Sequence, residues 1–530
     1  MNKVLRSAVV AFGLTTVCLA WLVEPVVKSD HMAAYHWNGH AAALFGPVAL
    51  VVAIVWALLT LLLVSARAEG RWRVAIWLGI VLSMPWIVQR NLELTWPNLL
   101  PHGFHLPSIL CALLVWLPLV LLWRPAYSRR YEGVIEFATT VFAFAAISGA
   151  VFLGEMTWFW WQARALNDPL PLHAEGHATA PDDLHPRIIW IVLDELSYQQ
   201  VYERRYPGLE LPAFDALAGQ STVFTDVAPA GIETDRVLPS LLTGTPVDDI
   251  RPSAAGMVST HNPVTARWQR FDQHNTIFQD ALNAGDNTAA AGWYNPYCRI
   301  MPAVLERCYW AYGDTLANGE LTEGTFKANV LGVLGALLGK GTAAHIVWGL
   351  LRIPGGGPNV WKPHVEDFKS ILAAADGDLE DGSINFMLLH LPVPHPPGFY
   401  DRKTGQLTAM PTTYMDNLAL ADRYLAHVRA LLEQRGEWDS STVVVMGDHS
   451  WRTQLLWVKS PVWTAEEERA SGGGAFDPRP AYIVKLAGQQ TGARIDTPFR
   501  AVETRALLDA LLARKIRSAG DLKAWVEQNH

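Results

Sequence analysis

Five apolar runs crowd the first third of this chain, and a different rhythm takes over near residue 187. The runs cover residues 4–27, 41–64, 74–88, 106–123 and 137–161. Each is close to the roughly 20 residues that a helix needs to cross a bilayer. The third is the shortest and contains Pro85. Five such runs in one block predict an α-helical membrane domain over residues 1–161, in preference to the buried core of a soluble domain. Residues 162–186 are rich in His, Pro, Ala and Asp, lack periodicity and read as a linker. Short apolar runs then alternate with amphipathic ones. Strands are expected at 188–193, 222–227, 288–293, 385–390, 442–446 and 482–486. Helices are expected at 235–243, 276–284, 365–375, 411–434, 500–512 and 519–528. This alternation predicts an α/β sandwich around a largely parallel sheet over residues 187–530. Residues 328–339 are apolar but too short to span a bilayer. They are expected as a core helix, with a helix skimming the membrane surface as the alternative. Residues 466–480, with Gly472-Gly473-Gly474, read as a surface loop.

Charge orients the two parts. Lys3 and Arg6 precede the first run, Arg67, Arg71 and Arg73 follow the second, and Arg124, Arg129 and Arg130 follow the fourth. The other short loops hold only Lys28 and Arg90. Basic loops stay cytoplasmic, so five spans place the N-terminus inside and everything after Trp161 outside. If the first run is instead a cleaved signal peptide, the C-terminal part is still exported. The 23 tryptophans, many beside apolar runs, fit membrane interfaces. Residues 1–165 carry 11 Lys and Arg against 7 Asp and Glu, while the remainder carries 31 against 43. An acidic exported part argues against nucleic acid as the partner. Cys18 and Cys111 lie inside apolar runs. Cys298 and Cys308, ten residues apart in the exported part, are expected to form a disulfide. The alternative is half of a zinc site, but no second Cys or His pair stands nearby.

The candidate chemistry sits where strands should end. Asp194-Glu195 follow the apolar run 188–193, and Asp448-His449 follow 442–446. A carboxylate at the end of a buried strand is costly unless paired, and a divalent cation is a sufficient partner. Helix capping is the plainer alternative for each pair. Carboxylate with imidazole suits zinc or manganese better than calcium. Thr234 heads an expected helix, where free N–H groups and the helix dipole favour an alkoxide and a bound phosphate. An ordinary cap is again the alternative. His390 and His395 frame a Pro-rich loop, His390-Leu391-Pro392-Val393-Pro394-His395-Pro396-Pro397. His395 is expected to bind substrate oxygens or protonate a leaving group. His390 is expected as a further substrate contact or as a structural histidine.

These residues resemble the alkaline phosphatase superfamily, sulfatase branch, over residues 186–489. Sulfatases carry their nucleophile at the start of a helix ending Leu-Leu-Thr-Gly. Counting back from Leu241-Leu242-Thr243-Gly244 reaches Thr234. Membrane-bound phosphoethanolamine transferases carry a Thr five residues before a Pro, and counting back from Pro239 again reaches Thr234. The resemblance to the transferases implies Glu195 as a metal ligand, and that to sulfatases adds Asp194. It also implies Asp448 and His449 as ligands, with Thr234, and His395 as a substrate-binding residue. The chain lacks the Cys-x-Pro-x-Arg signal for formylglycine formation. It also lacks any histidine after His449 except His530, where the transferases have one more.

The expected function is therefore a phosphotransferase of the bacterial inner membrane, multi-pass, with its catalytic domain on the periplasmic or extracellular side. One divalent ion, zinc or manganese, would serve Thr234 as nucleophile. The donor would be a membrane phospholipid carrying phosphoethanolamine or phosphoglycerol, and the acceptor a glycan or lipid. The rivals are a phosphodiesterase or sulfuric ester hydrolase with the same site, and a noncatalytic membrane assembly factor.

Overall fold

The computed structural model describes residues 3–20, 35, 41–66, 71–95, 128–163, 186–253, 257–312, 326–338, 361–460 and 462–529. The expected span at 106–123 and nearly all of the linker lie outside the described residues. The chain divides into two units, residues 1–168 with 314–359, and residues 169–313 with 360–530.

In the first unit, helices Lys3–Cys18, Ala41–Ser65, Arg71–Thr95 and Ser128–Ala163 follow the first, second, third and fifth apolar runs. Val10, Leu14, Ile76, Trp77, Ile135 and Phe142 form a shared core. Gly13 allows a close helix approach, since a Cβ there would fall 1.7 Å from the Phe142 carbonyl oxygen. Small residues at helix crossings are the usual means of packing helices in lipid. Two segments, Phe45–Ser65 and Glu132–Gln162, are long and apolar enough to cross a membrane, while Val4–Cys18 and Trp72–Met84 are shorter. The described residues thus hold two candidate crossings against the five expected. Helix Phe326–Leu338 also belongs to this unit and lies along Ala41–Ser65. The sequence places it in the exported core or on the membrane surface. Its apolar residues meet an apolar helix of the first unit rather than the exported core.

The second unit is built on a sheet of eight strands. In chain order they are β1 (Ile188–Leu193), β2 (Thr222–Phe224), β3 (Thr288–Trp293), β4 (Arg307–Ala311), β5 (Phe386–Leu391), β6 (Thr442–Gly447), β7 (Tyr482–Lys485) and β8 (Ala493–Ile495). Their order across the sheet is β8-β2-β7-β6-β1-β5-β3-β4, and only β7 runs against its neighbours. Every residue of β1, β5 and β6 is buried. Helices cover both faces of such strands, so they read as unbroken apolar runs. One face packs Ile189, Ile191, Val443, Val445 and Leu389 against Phe368, Ile371, Leu418 and Leu425 of helices Trp361–Glu380 and Tyr414–Gln434. Burial of each such side chain contributes about 1.5–3 kcal/mol. Register pairs Leu193 with both Gly447 and Leu391. The three central strands therefore end level, and the residues after them leave the sheet side by side.

Two smaller findings differ from the sequence reading. Residues 466–480 are not all loop: Ala465–Ser471 is a helix, closed at its start by the Thr464–Glu467 capping box and at its end by Gly472 at φ +69°. A three-stranded ribbon, Asp249–Pro252, Val258–Asn262 and Arg267–Arg270, was not foreseen. Cys298 and Cys308 are joined by a disulfide, as expected, with sulfurs 2.05 Å apart.

Candidate active site

Level strand ends bring the acidic residues together. Asp194 follows β1, Asp448 follows β6, and neither is exposed to solvent. Thr234 is the first residue of helix Thr234–Thr243, while Glu233 takes the extended cap position without a side-chain cap bond. The threonine hydroxyl is thus not used as a cap. It stands 2.9 Å from Asp448 Oδ2, 3.2 Å from Asp194 Oδ2 and 3.4 Å from His449 Nε2. His449 Nδ1 lies 3.1 Å from the Ser450 carbonyl oxygen. That bond fixes the proton on Nδ1 and leaves the Nε2 lone pair facing the carboxylates, the arrangement metal-binding histidines use. Burial holds the imidazole neutral, with its pKa lowered to about 4.

Glu195 adopts a left-handed backbone at φ +63°, which costs about 1–2 kcal/mol for a residue with a Cβ. Two bonds offset the strain. Its N–H donates to Asp448 Oδ1 at 3.0 Å, and its carbonyl accepts from the Tyr414 hydroxyl at 2.8 Å. Tyr414 is itself stacked on Trp451 at 4.2 Å. The Glu195 carboxylate turns away from Thr234. Oε1 accepts from Arg452 Nε at 2.7 Å, and Trp457 Nε1 lies 3.0 and 2.9 Å from the two oxygens. Sequence implied Glu195 and Asp194 as ligands beside Asp448 and His449; here Asp194 lies by Thr234, while Glu195 pairs with Arg452 and shares a second potential ligand group with Asp194 and His395.

The residues fit a divalent cation. Burial, with the Asp448 and Glu195 carboxylates beside it, pushes the Asp194 carboxyl well above the usual range. Burial raises Asp448 too. The one hydroxyl proton of Thr234 serves two buried carboxylates. Asp194 Oδ1 is buried without a hydrogen-bond partner. Asp194, Asp448 and His449 each offer a ligand atom within 4.8 Å of the others; Asp194, Glu195 and His395 form a second such group. Two carboxylates out of water need a positive partner, and an ion shared between them meets that need.

The two histidines of the Pro-rich loop divide. His390 is fully buried on β5, with Nδ1 2.8 Å from the Tyr297 hydroxyl and Nε2 3.8 Å from Asp194 Oδ2. Its Nε2 has no hydrogen-bond partner. Gly292, register partner of His390, permits this, because a Cβ there would fall 2.3 Å from the Tyr297 ring. His390 thus lies beneath the carboxylates. His395 reaches the mouth, 16% exposed, with its ring against Trp293 and Trp457. Its Nε2 stands 3.1 Å from Arg452 Nη2, and burial followed by the Arg452 charge holds its pKa well below the ordinary value. An imidazole accepting that bond has no Nε2 proton to give to a leaving group or to a substrate oxygen, so either expected role requires His395 to release Arg452.

Arg452, Trp457 and Glu233 were not foreseen. Arg452 stands three residues after His449, a spacing that would have marked it for inspection. Nothing local indicates that it turns inward to a carboxylate 257 residues earlier. A direct check separates the two acids after β1. In the purified chain, Asp194→Asn is expected to lose most of its bound metal, and Glu195→Gln to retain it. Metal analysis of the two variants decides, and the reverse pattern would return Glu195 to the ligand set.

A hydroxyl at a helix N-terminus, beside buried carboxylates able to hold a divalent ion, is equipped for nucleophilic transfer at phosphorus or sulfur. Solved structures similar to this one include a protein of the alkaline phosphatase superfamily from Vibrio parahaemolyticus. That likeness covers 65% of this chain and 71% of the other, at 14% identity and a TM-score of 0.35. The phosphonate monoester hydrolase of Agrobacterium radiobacter is similar over 62% of this chain and 73% of its own, at 14% identity and a TM-score of 0.38. The lipoteichoic acid synthase LtaP of Listeria monocytogenes is similar over 66% and 77%, at 15% identity and a TM-score of 0.37. No protein-family profile matches the chain, and no curated protein matches it in sequence.

Proposed function

We propose that this protein is a membrane-anchored, metal-dependent transferase that moves a phospho-headgroup from a lipid to an envelope acceptor. The observation that carries the reading is the Thr234 hydroxyl within 2.9–3.4 Å of Asp448, Asp194 and His449. Asp194, Asp448, His449 and the Thr234 oxygen would hold one zinc or manganese ion, whose charge lowers the hydroxyl pKa and offsets charge developing on the phosphoryl oxygens. Thr234 Oγ attacks the phosphorus of the headgroup phosphodiester, and its proton passes to a carboxylate oxygen within hydrogen-bond reach. The Oγ–P bond forms as the bond from phosphorus to the glyceride oxygen breaks, the proton passes from the carboxylate to that oxygen, and diacylglycerol leaves. A hydroxyl of a glycan or lipid acceptor then attacks the phospho-threonine and regenerates Thr234. The backbone N–H groups of Thr234 and Asp235, at the head of the helix, orient the phosphoryl oxygens. His395, once released from Arg452, contributes a substrate contact at the mouth, and His390 lies beneath Asp194 without a hydrogen bond to it.

Membrane attachment through the apolar helices of residues 1–161, a linker at 162–186 and a catalytic domain at 187–530 outside the inner membrane complete the reading. Tethering raises the effective concentration of a lipid donor at the site. The test is incubation of the full chain with headgroup-labelled phosphatidylethanolamine or phosphatidylglycerol. Label on an acceptor is the expected result. Label released only into water would make the protein a hydrolase.

A further inference from the structure

Arg452 is buried to 7% side-chain exposure, and two carboxylates of different standing share its guanidinium. Glu195, with none of its side chain exposed, takes Nε at 2.7 Å. Trp457 also binds this carboxylate, so it has no freedom to leave. Glu233 takes Nη1 at 2.8 Å and is 44% exposed. The remaining contacts are the Ile232 carbonyl, 3.3 Å from Nη1, and His395 Nε2, 3.1 Å from Nη2. Glu233 immediately precedes Thr234, so its carboxylate occupies a guanidinium N–H one residue from the nucleophile.

Burial decides which carboxylate can be exchanged. Removing Glu195 would strand a buried charge, which is strongly destabilising. A half-exposed carboxylate rehydrates as it swings out, and pairs of that kind contribute little. Guanidinium binds carboxylate, phosphate and sulfate oxygens through the same donors. We propose that Glu233 is a placeholder on Arg452, displaced when an anionic oxygen of a tetrahedral phosphate or sulfate ester reaches Thr234. Arg452 is then the residue that selects an anionic ester, and the Glu195–Trp457 pair positions it. This role rests on the reading of Thr234 as the attacking residue.

The test is calorimetric titration of the metal-loaded full chain with inorganic phosphate, with metal content and melting temperature measured on each sample. Glu233→Gln, at a half-exposed position, is expected to tighten phosphate binding about three- to tenfold by removing the competing charge. Arg452→Lys is expected to weaken it by on the order of tenfold or more. In the double variant the gain from Glu233→Gln should disappear, since the N–H it frees is gone. A purely structural Glu233 would give no gain. Unchanged or weaker phosphate binding in Glu233→Gln overturns the proposal, as does a gain that persists in the double variant. Thr234→Ala separates this from the transfer reading. If the Glu233 and Arg452 effects appear but no adduct ever forms on Thr234, the anion site stands and the transfer reading falls. An adduct on Thr234 without those effects leaves the transfer reading standing and removes the placeholder.

Discussion

Asp448→Ala is expected to release the divalent ion from the purified chain and to lower turnover by on the order of a thousandfold or more. The apolar helices should remain inserted. The reason is the number of groups that converge on this one carboxylate. Asp448 accepts from the Glu195 N–H at 3.0 Å, from its neighbour His449 N–H at 2.8 Å and from the Thr234 hydroxyl at 2.9 Å. Alanine leaves two buried backbone donors unpaired, each costing about 1–3 kcal/mol, while the Thr234 hydroxyl still has Asp194 Oδ2 at 3.2 Å. Against this, it removes a carboxylate whose ligand atom lies within 4.8 Å of one from Asp194. If both were ionised in the metal-free chain, that repulsion would be about 3–4 kcal/mol. The two effects nearly cancel without metal and add to the loss of the ion with it. The melting temperatures of parent and variant should therefore differ in the loaded state and converge after chelation. Full metal occupancy in Asp448→Ala would remove the proposed ligand set.

Thr234→Ala is expected to keep the metal and lose turnover by about 10⁴-fold or more, the scale on which enzymes lose rate with their nucleophile. Stability should change little. Alanine is well suited to the first turn of a helix, and the hydrogen bonds lost are worth about 1–2 kcal/mol. Thr234→Ser keeps the hydroxyl and should keep part of the rate. An unchanged cellular phenotype in Thr234→Ala would favour the noncatalytic assembly factor over an enzyme.

What could be read from the sequence follows from how each element is buried. β1 reads Ile-Ile-Trp-Ile-Val-Leu because both faces of that strand are covered, and the same holds for β5 and β6. Their ends, Asp194 and Asp448, were legible for the same reason: a carboxylate closing an apolar run stands out. Thr234 was reached from two independent spacings. The ribbon over residues 249–270 was hidden because Arg267–Arg270 is a largely exposed strand, Arg-Trp-Gln-Arg, with no buried face to write a pattern. Helix Ala465–Ser471 was hidden behind Glu and Gly residues, although Thr464 followed three residues later by Glu467 is a capping signal that would have marked it. The role of Arg452 was not legible, because its partner Glu195 is 257 residues away and only the level ends of β1 and β6 bring them together.

Transfer through this site requires a covalent bond to one oxygen. Intact-mass analysis of the full chain, quenched during incubation with phosphatidylethanolamine or phosphatidylglycerol, tests that requirement most directly. The expected result is an added phospho-headgroup mapping to Thr234, lost in Thr234→Ala and in Asp448→Ala. Turnover with a quenched chain of unmodified mass, or an adduct mapping to another residue, would contradict it.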